Sequence, residues 1–254
     1  MYGSVPSVRF LVGLTLLLCM SGAAAAQAQE SKAAPKTSPE IRTILSKILL
    51  DNNEFVKGHN KDFFTRFRDE QHPRATVVAC SDSRFHTNSI DRIPDDDLYM
   101  VRNIGNQIDS ALGSVEYGVH HLHTPLLLII GHVGCGAVKA AMSDYSAIEP
   151  GIRRELDGLH LAVYRTAAKG SFPEQWLTNV IGNVHQQVKY AMLEYAEDIR
   201  AGRLTVLGAV YDFRDDLKQG AGRLVVISLN GESDPKKLAT QIGVPGCALN
   251  QGPH

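Results

Sequence analysis

From residue 76 onward, short apolar and β-branched runs alternate with longer stretches of helical period, and this alternation constrains the fold more than any other feature of the chain. Residues 76–79, 98–101, 126–130, 204–210 and 224–228 read as buried strands. Helices fit between and after them at 109–123, 134–143, 152–169 and 173–201. Strands separated by helices pair in parallel, and a parallel sheet needs cover on both faces. The expectation is an α/β fold, a mainly parallel central sheet flanked by helices, with no internal repeat and no second domain boundary.

An N-terminal helical arm precedes this body. Ser38-Pro39-Glu40 combines a capping hydroxyl, a proline at the first helical position and an acid in the first turn. Ile41, Ile44, Leu45, Ile48 and Leu49 then recur at helical spacing. A second helix is expected over 61–69, ending before His72-Pro73. Residues 29–37, rich in Ala, Lys, Ser, Pro and Gln, read as a flexible arm. Residues 1–28 read as a secretory signal peptide: Arg9, an apolar run over 10–20, and Ala26-Gln27-Ala28 as the cleavage motif. That run is about half of the ~20 residues a membrane span needs, and Leu18 before Cys19 disfavours a lipoprotein anchor. The chain is therefore expected to be exported, periplasmic or secreted, without a permanent membrane anchor.

Removing 28 residues from 254 leaves 226, enough for a single domain over 38–254 with a well-buried core. The formal charge of −1 becomes −2 when Arg9 leaves, which gives no electrostatic reason to expect nucleic acid or an anionic membrane as partner.

Of Cys19, Cys80, Cys135 and Cys247, the first leaves with the signal peptide and three remain. Two short segments stand out, each after an expected strand: Cys80-Ser81-Asp82-Ser83-Arg84, and Gly131-His132-Val133-Gly134-Cys135-Gly136. In open parallel sheets ligands bind at the carboxyl ends of strands, and neighbouring strands would bring the two segments together. Cys80, His132 and Cys135 form a soft three-ligand set suited to Zn²⁺, with a fourth position open, as in catalytic sites. On spacing alone, a disulfide between Cys80 and Cys135, or a buried and merely structural trio, stands beside that reading. The exposed first amides of the helix at Gly136 suit a small anion.

These segments, together with residues 101–106, 114–117, 183–184 and 207–212, resemble the β-class carbonic anhydrases. The family's Cys-x-Asp-x-Arg signature is matched by Cys80, Asp82 and Arg84, and its His-x-x-Cys by His132 and Cys135. The resemblance covers about residues 40–230. It implies reversible hydration of carbon dioxide to bicarbonate and a proton, with one Zn²⁺ per subunit, on a fold that assembles as a homodimer or homotetramer. In that chemistry a zinc-bound hydroxide attacks carbon dioxide. Asp82, held ionised by Arg84, orients the hydroxide, although in some members the aspartate swings onto the metal and closes the site.

Gln71 falls where the plant-like branch carries a substrate-binding glutamine, nine residues before Cys80. Tyr99, Ile104 and Tyr117 fall where that branch builds an apolar pocket across the dimer contact. The regulated branch closes its site through a bicarbonate pocket of Trp, Arg and Tyr. This chain keeps Arg102 and Tyr117 at those places but has Val77 in place of the Trp, so an open site is expected. His86, His120, His121 and His123 are candidate proton carriers that no residue-level argument separates. Two alternatives are a carbon disulfide or carbonyl sulfide hydrolase on the same fold and a non-catalytic zinc-binding module; turnover and substrate access separate them.

Overall fold

The computed structural model describes residues 38–165 and 170–250. The expected signal peptide, the arm at 29–37 and residues 166–169 of the helix expected at 152–169 lie outside the described residues. The chain divides into two compact units between Asn60 and Lys61. In the first, α1 (Pro39–Lys57) starts as its sequence dictates: the Ser38 hydroxyl accepts from the Ile41 amide at 3.2 Å, with proline in the first turn. Its apolar stripe stays exposed, Leu49 at 64% and Ile48 at 59%.

The second unit carries the sheet. Its elements run α2 (Lys61–Thr65), β1 (Ala75–Cys80), β2 (Leu98–Asn103), α3 (Leu112–Glu116), β3 (Leu126–His132), α4 (Gly136–Ala141) and α5 (Pro150–Arg165). They continue with α6 (Phe172–Glu194), α7 (Ala196–Arg200), β4 (Thr205–Asp212), β5 (Arg223–Leu229) and α8 (Pro235–Ile242). The strand order is β2-β1-β3-β4-β5, parallel except for β5, which runs antiparallel to β4. The mainly parallel sheet expected from the alternation is what the chain forms.

Side chains alternate across the sheet with period two. Val78, Val101, Leu127, Ile129, Val206 and Val210 face one side, where Val180, Val184 and Val188 of α6 join them. Val77, Ala79, Leu128, Ile130 and Ala209 form the other face with Phe85. Every residue of β1 is buried, as a strand covered on both faces requires. Full burial of each Val or Ile contributes about 1.5–3 kcal/mol.

Four expected helices change at their ends or interiors. The second stops at Thr65, not 69, and continues as tight turns, with Phe67 N–H on Phe64 O and Arg68 N–H on Thr65 O. The stretch 109–123 breaks into a 3-10 turn Asp109–Ala111, α3, and a π-helical turn Tyr117–His121. Thr124-Pro125 cannot continue a helix, and the widened turn brings the Leu122 amide onto Tyr117 O before β3 begins. Helix α4 starts only at Gly136, because Gly134 (φ +67°) and the extended Cys135 form the turn before it. The stretch 173–201 is interrupted at Tyr195, where the backbone leaves helical geometry (φ −104°, ψ 27°) and the ring is buried.

Candidate metal centre

Cys80 ends β1 and His132 ends β3. The two strands are adjacent, with Ala79 opposite Ile130, so both side chains arrive at the carboxyl edge of the sheet. Cys135 follows three residues after His132 because Gly134 adopts a left-handed conformation, cheap for glycine, which folds the chain back toward the same point. The ligand atoms of Cys80, His132 and Cys135 all lie within 4.8 Å of one another, and all three residues are buried.

The two sulfurs stand 4.0 Å apart and both cysteines are free. A disulfide would hold them at about 2.05 Å, whereas two sulfurs on one tetrahedral zinc, each at about 2.3 Å, stand about 3.8 Å apart. The His132 Nδ1–H donates to Val133 O at 3.1 Å, which places the proton on Nδ1 and the lone pair on Nε2. That Nε2 is buried and has no hydrogen-bond partner. An orphaned buried nitrogen beside two thiols is costly alone and is what a soft metal ion satisfies.

Either thiol can donate to the other across the 4.0 Å between them. Cys80 is held well below the usual thiol range, chiefly by its contact with the Cys135 thiol. Cys135 is pushed up by the same contact and by burial. Metal binding requires both as thiolates and so releases their protons.

Asp82 stands beside this trio, its Oδ2 3.7 Å from His132 Nε2. Arg84 grips it as a two-toothed fork, Nε to Oδ1 at 2.9 Å and an Nη to Oδ2 at 2.7 Å, and adds its own backbone amide at 3.0 Å. This grip keeps the Asp82 carboxyl far below the usual range. Arg84 also donates to Gly134 O and lies over the Phe213 ring at 5.0 Å, so the fork is itself seated. Arg102 fixes the loop from below by donating to the carbonyls of Cys80, Asp82 and Phe85.

The other expected site residues divide between the two ends of the sheet. Ile104, half-buried, and Gly136, exposed beside Cys135, lie at the metal end. Gln71 precedes β1 and lines a cavity of about 550 Å³ with Phe67, Tyr117 and His121. Tyr99 joins that end, its ring 5.9 Å from Tyr117. The five steps of β1 alone separate it from Cys80 by about 17 Å. One chain therefore brings Cys80, Asp82, Arg84, His132 and Cys135 together and keeps Gln71, Tyr99 and Tyr117 apart from them.

Four further residues of α6 carry only faint sequence signals. Trp176 Nε1 donates to Cys135 O at 2.9 Å. Asn179, Asn183 and Gln187 are buried on α6, polar residues recurring every fourth position among Val180, Val184 and Val188. Amides at that spacing on an apolar helix face are the signal that could have marked them.

Comparison with known proteins follows this geometry. The family described as carbonic anhydrase matches residues 75–218. The carbonic anhydrase 2 of Mycobacterium tuberculosis is 33% identical over 196 residues, covering 71% of this chain and 92% of that protein. A carbonic anhydrase of Mycolicibacterium smegmatis is 30% identical over 150 residues, covering 57% and 73%. Among solved structures, a tetrameric β-carbonic anhydrase from the ascomycete Sordaria macrospora superposes with a TM-score of 0.65 at 26% identity, over 73% of this chain and 98% of that one.

Proposed function

This chain belongs to the β-class carbonic anhydrase family, and we propose that it hydrates carbon dioxide to bicarbonate with one zinc held by Cys80, His132 and Cys135. The observation that carries this reading is the buried trio itself: two unpaired thiols 4.0 Å apart facing an orphaned imidazole nitrogen. When bound, zinc supplies the Lewis acidity that brings the ionisation of water down to about 7.

The chain's own residues supply position and proton bookkeeping. His132 is oriented by Val133 O, so its Nε2 faces the sulfurs without rotation. Asp82, ionised and clamped by Arg84, offers a carboxylate oxygen as hydrogen-bond acceptor to the reacting oxygen, and Arg84 keeps that carboxylate from turning toward the metal. Because Asp82 titrates far below the assay range, it contributes no pH dependence near neutrality.

The arrangement supports an always-open site of the plant-like kind. Val77 is fully buried in the sheet and offers no donor. The Arg102 guanidinium is engaged by three carbonyls, and Tyr117 packs against Tyr99 and His121 at the opposite end of the sheet. The separation of Gln71 from Cys80 supports a site shared between copies, with Gln71 and Tyr117 of one chain meeting the metal of another in a homodimer or homotetramer.

The test is a carbon dioxide hydration assay on protein whose zinc has been counted. One zinc per subunit is expected, with activity declining below pH 8 by at most tenfold per pH unit, as one titrating group dictates. A steep cooperative loss would overturn the open-site reading, and turnover without metal would overturn the zinc reading.

We also propose that the chain works outside the cytoplasm, on the strength of Arg9, the apolar run and Ala26-Gln27-Ala28. N-terminal sequencing of protein from the periplasm is expected to begin near Gln29. An intact Met1 terminus in the cytoplasm would sink the proposal. No described helix is long and apolar enough to cross a membrane.

A further inference from the structure

Cys80 and His132 are carried by the sheet: Cys80 stands in register with Asn103 of β2, and His132 with Tyr211 of β4. Cys135 is not. It lies in the turn between β3 and α4, one residue after Gly134 at φ +67°, where no strand ladder fixes the direction of its side chain. Helix α4 is six residues long, too short to hold its own first turn firmly.

Side chains on the carbonyls of that turn do the fixing. His132 Nδ1 donates to Val133 O at 3.1 Å, and an Arg84 Nη to Gly134 O at 3.1 Å. Cys135 O accepts two donors, the Lys139 amide at 3.1 Å and the Trp176 indole Nε1–H at 2.9 Å. Peptide units are planar, so pinning the carbonyls of Gly134 and Cys135 fixes both planes that flank the Cys135 Cα, and with them the direction of its Cβ and sulfur. Arg84 holds the first plane and Trp176 the second.

Trp176 can serve as a fixed point because it is itself seated. Lys139 Nζ lies over its ring, 5.4 Å from the centroid, and the Phe172 ring packs beside it at 6.2 Å. Its helix, α6, docks through Val180, Val184 and Val188 in the core and through Asn183 Nδ2, which donates to Gly105 O at 2.9 Å. In the turn that receives Asn183, Gln107 Nε2 closes onto Ile104 O at 2.8 Å. A capping box of Ser171 and Glu174 starts α6 just before the indole.

We propose that Trp176 is a positioning residue for the Cys135 thiolate: its indole N–H holds the one zinc ligand that the sheet does not carry, so that the sulfur is aimed before the metal arrives. The inference rests on the reading of Cys135 as a zinc ligand. Trp176 acts through Cys135, so loss of activity alone would not establish the role.

The chain contains a single tryptophan, so its indole can be exchanged at this one position by growing a tryptophan auxotroph on an analogue. Benzothienylalanine keeps two fused rings and replaces the N–H by sulfur; a fluorotryptophan keeps the N–H and serves as the conservative control. Zinc affinity is measured by competition with a chromophoric chelator, and the cobalt-substituted proteins are examined by absorption. With benzothienylalanine, affinity is expected to fall about 5–30-fold, because the metal must then order the backbone of one residue that the indole held. The thiolate-to-cobalt charge-transfer band, whose strength follows the alignment of sulfur with metal, is expected to weaken. Fluorotryptophan is expected to restore both.

A merely structural role would lower the melting temperature of the metal-free protein and leave affinity and band unchanged, and that outcome overturns the inference. Equal losses with both analogues would assign the effect to ring fit and overturn it too. If the benzothienyl protein does not fold, the unaltered metal-free protein decides: its single indole N–H is expected to exchange slowly with deuterium before zinc is added, and exchange at the rate of a free indole overturns the inference. Unaltered protein that binds neither zinc nor cobalt would instead bring down the metal assignment itself.

Discussion

Cys135→Ser is expected to leave the purified protein folded, without zinc and without measurable carbon dioxide hydration. A serine hydroxyl is a hard donor that stays protonated near neutral pH, and its shorter bond pulls the oxygen back from the point where the three ligand atoms converge. Structural zinc sites bind with about 10–16 kcal/mol, so losing one of three protein ligands removes roughly a third of that, an affinity loss on the order of 10³-fold. The fold survives because the change is nearly isosteric. Elemental analysis beside a hydration assay and a melting curve checks all three statements. Full zinc occupancy with turnover would show that Cys135 is not a ligand.

Gln71→Ala is expected to lower kcat/KM about tenfold or more with zinc retained. A hydrogen bond to a charged group is worth about 1.5–3 kcal/mol, and each 1.4 kcal/mol is a factor of ten. The more discriminating result comes from mixing. If Gln71 of one copy serves the metal of another, dissociated and reassociated Gln71→Ala and Cys135→Ser subunits form mixed dimers containing one unaltered site. Random assembly through a two-fold interface then restores about a quarter of the wild-type activity per subunit, although Cys135→Ser is inactive alone. An activity no greater than the average of the two separate variants would mean that Gln71 acts within its own chain or not at all.

Why the metal end was legible in the sequence, and the rest was not, follows from what local patterns encode. Burial on both faces leaves a continuous apolar run, so β1 and β3 announce themselves, and the residues that end them, Cys80 and His132, can be placed at the same sheet edge before any coordinates are known. Arg84 on Asp82 spans two residues and is equally local. Gln71 is different: its distance from Cys80 is set by strand direction, and whether it serves its own chain or another copy is written in no neighbouring residue. The break at Tyr195 arises because a buried ring outweighs helical period, a tertiary demand that propensity does not carry. Helix α8 does carry local signs, Asp234 capping Lys237 N at 3.0 Å and Gly243 in the left-handed region at its end, which a closer reading of Asp-Pro and Gly would catch. Gln107 and Asn183 meet their backbone partners across gaps of 3 and 78 residues; the second pairing exists only after α6 docks on the sheet.

The two sulfurs lie 55 residues apart in the chain and meet only where β1 and β3 pair. That separation orders events during folding. In a zinc finger the ligands are near neighbours, and the ion itself drives the chain to fold. Here the ends of a long loop must first be brought together, an entropic cost on the order of (3/2)RT ln n that the apolar strands, not the ion, have to offset. Metal capture thus requires β1 and β3 to be paired first. A chain halted before that pairing carries two distant, unshielded thiols.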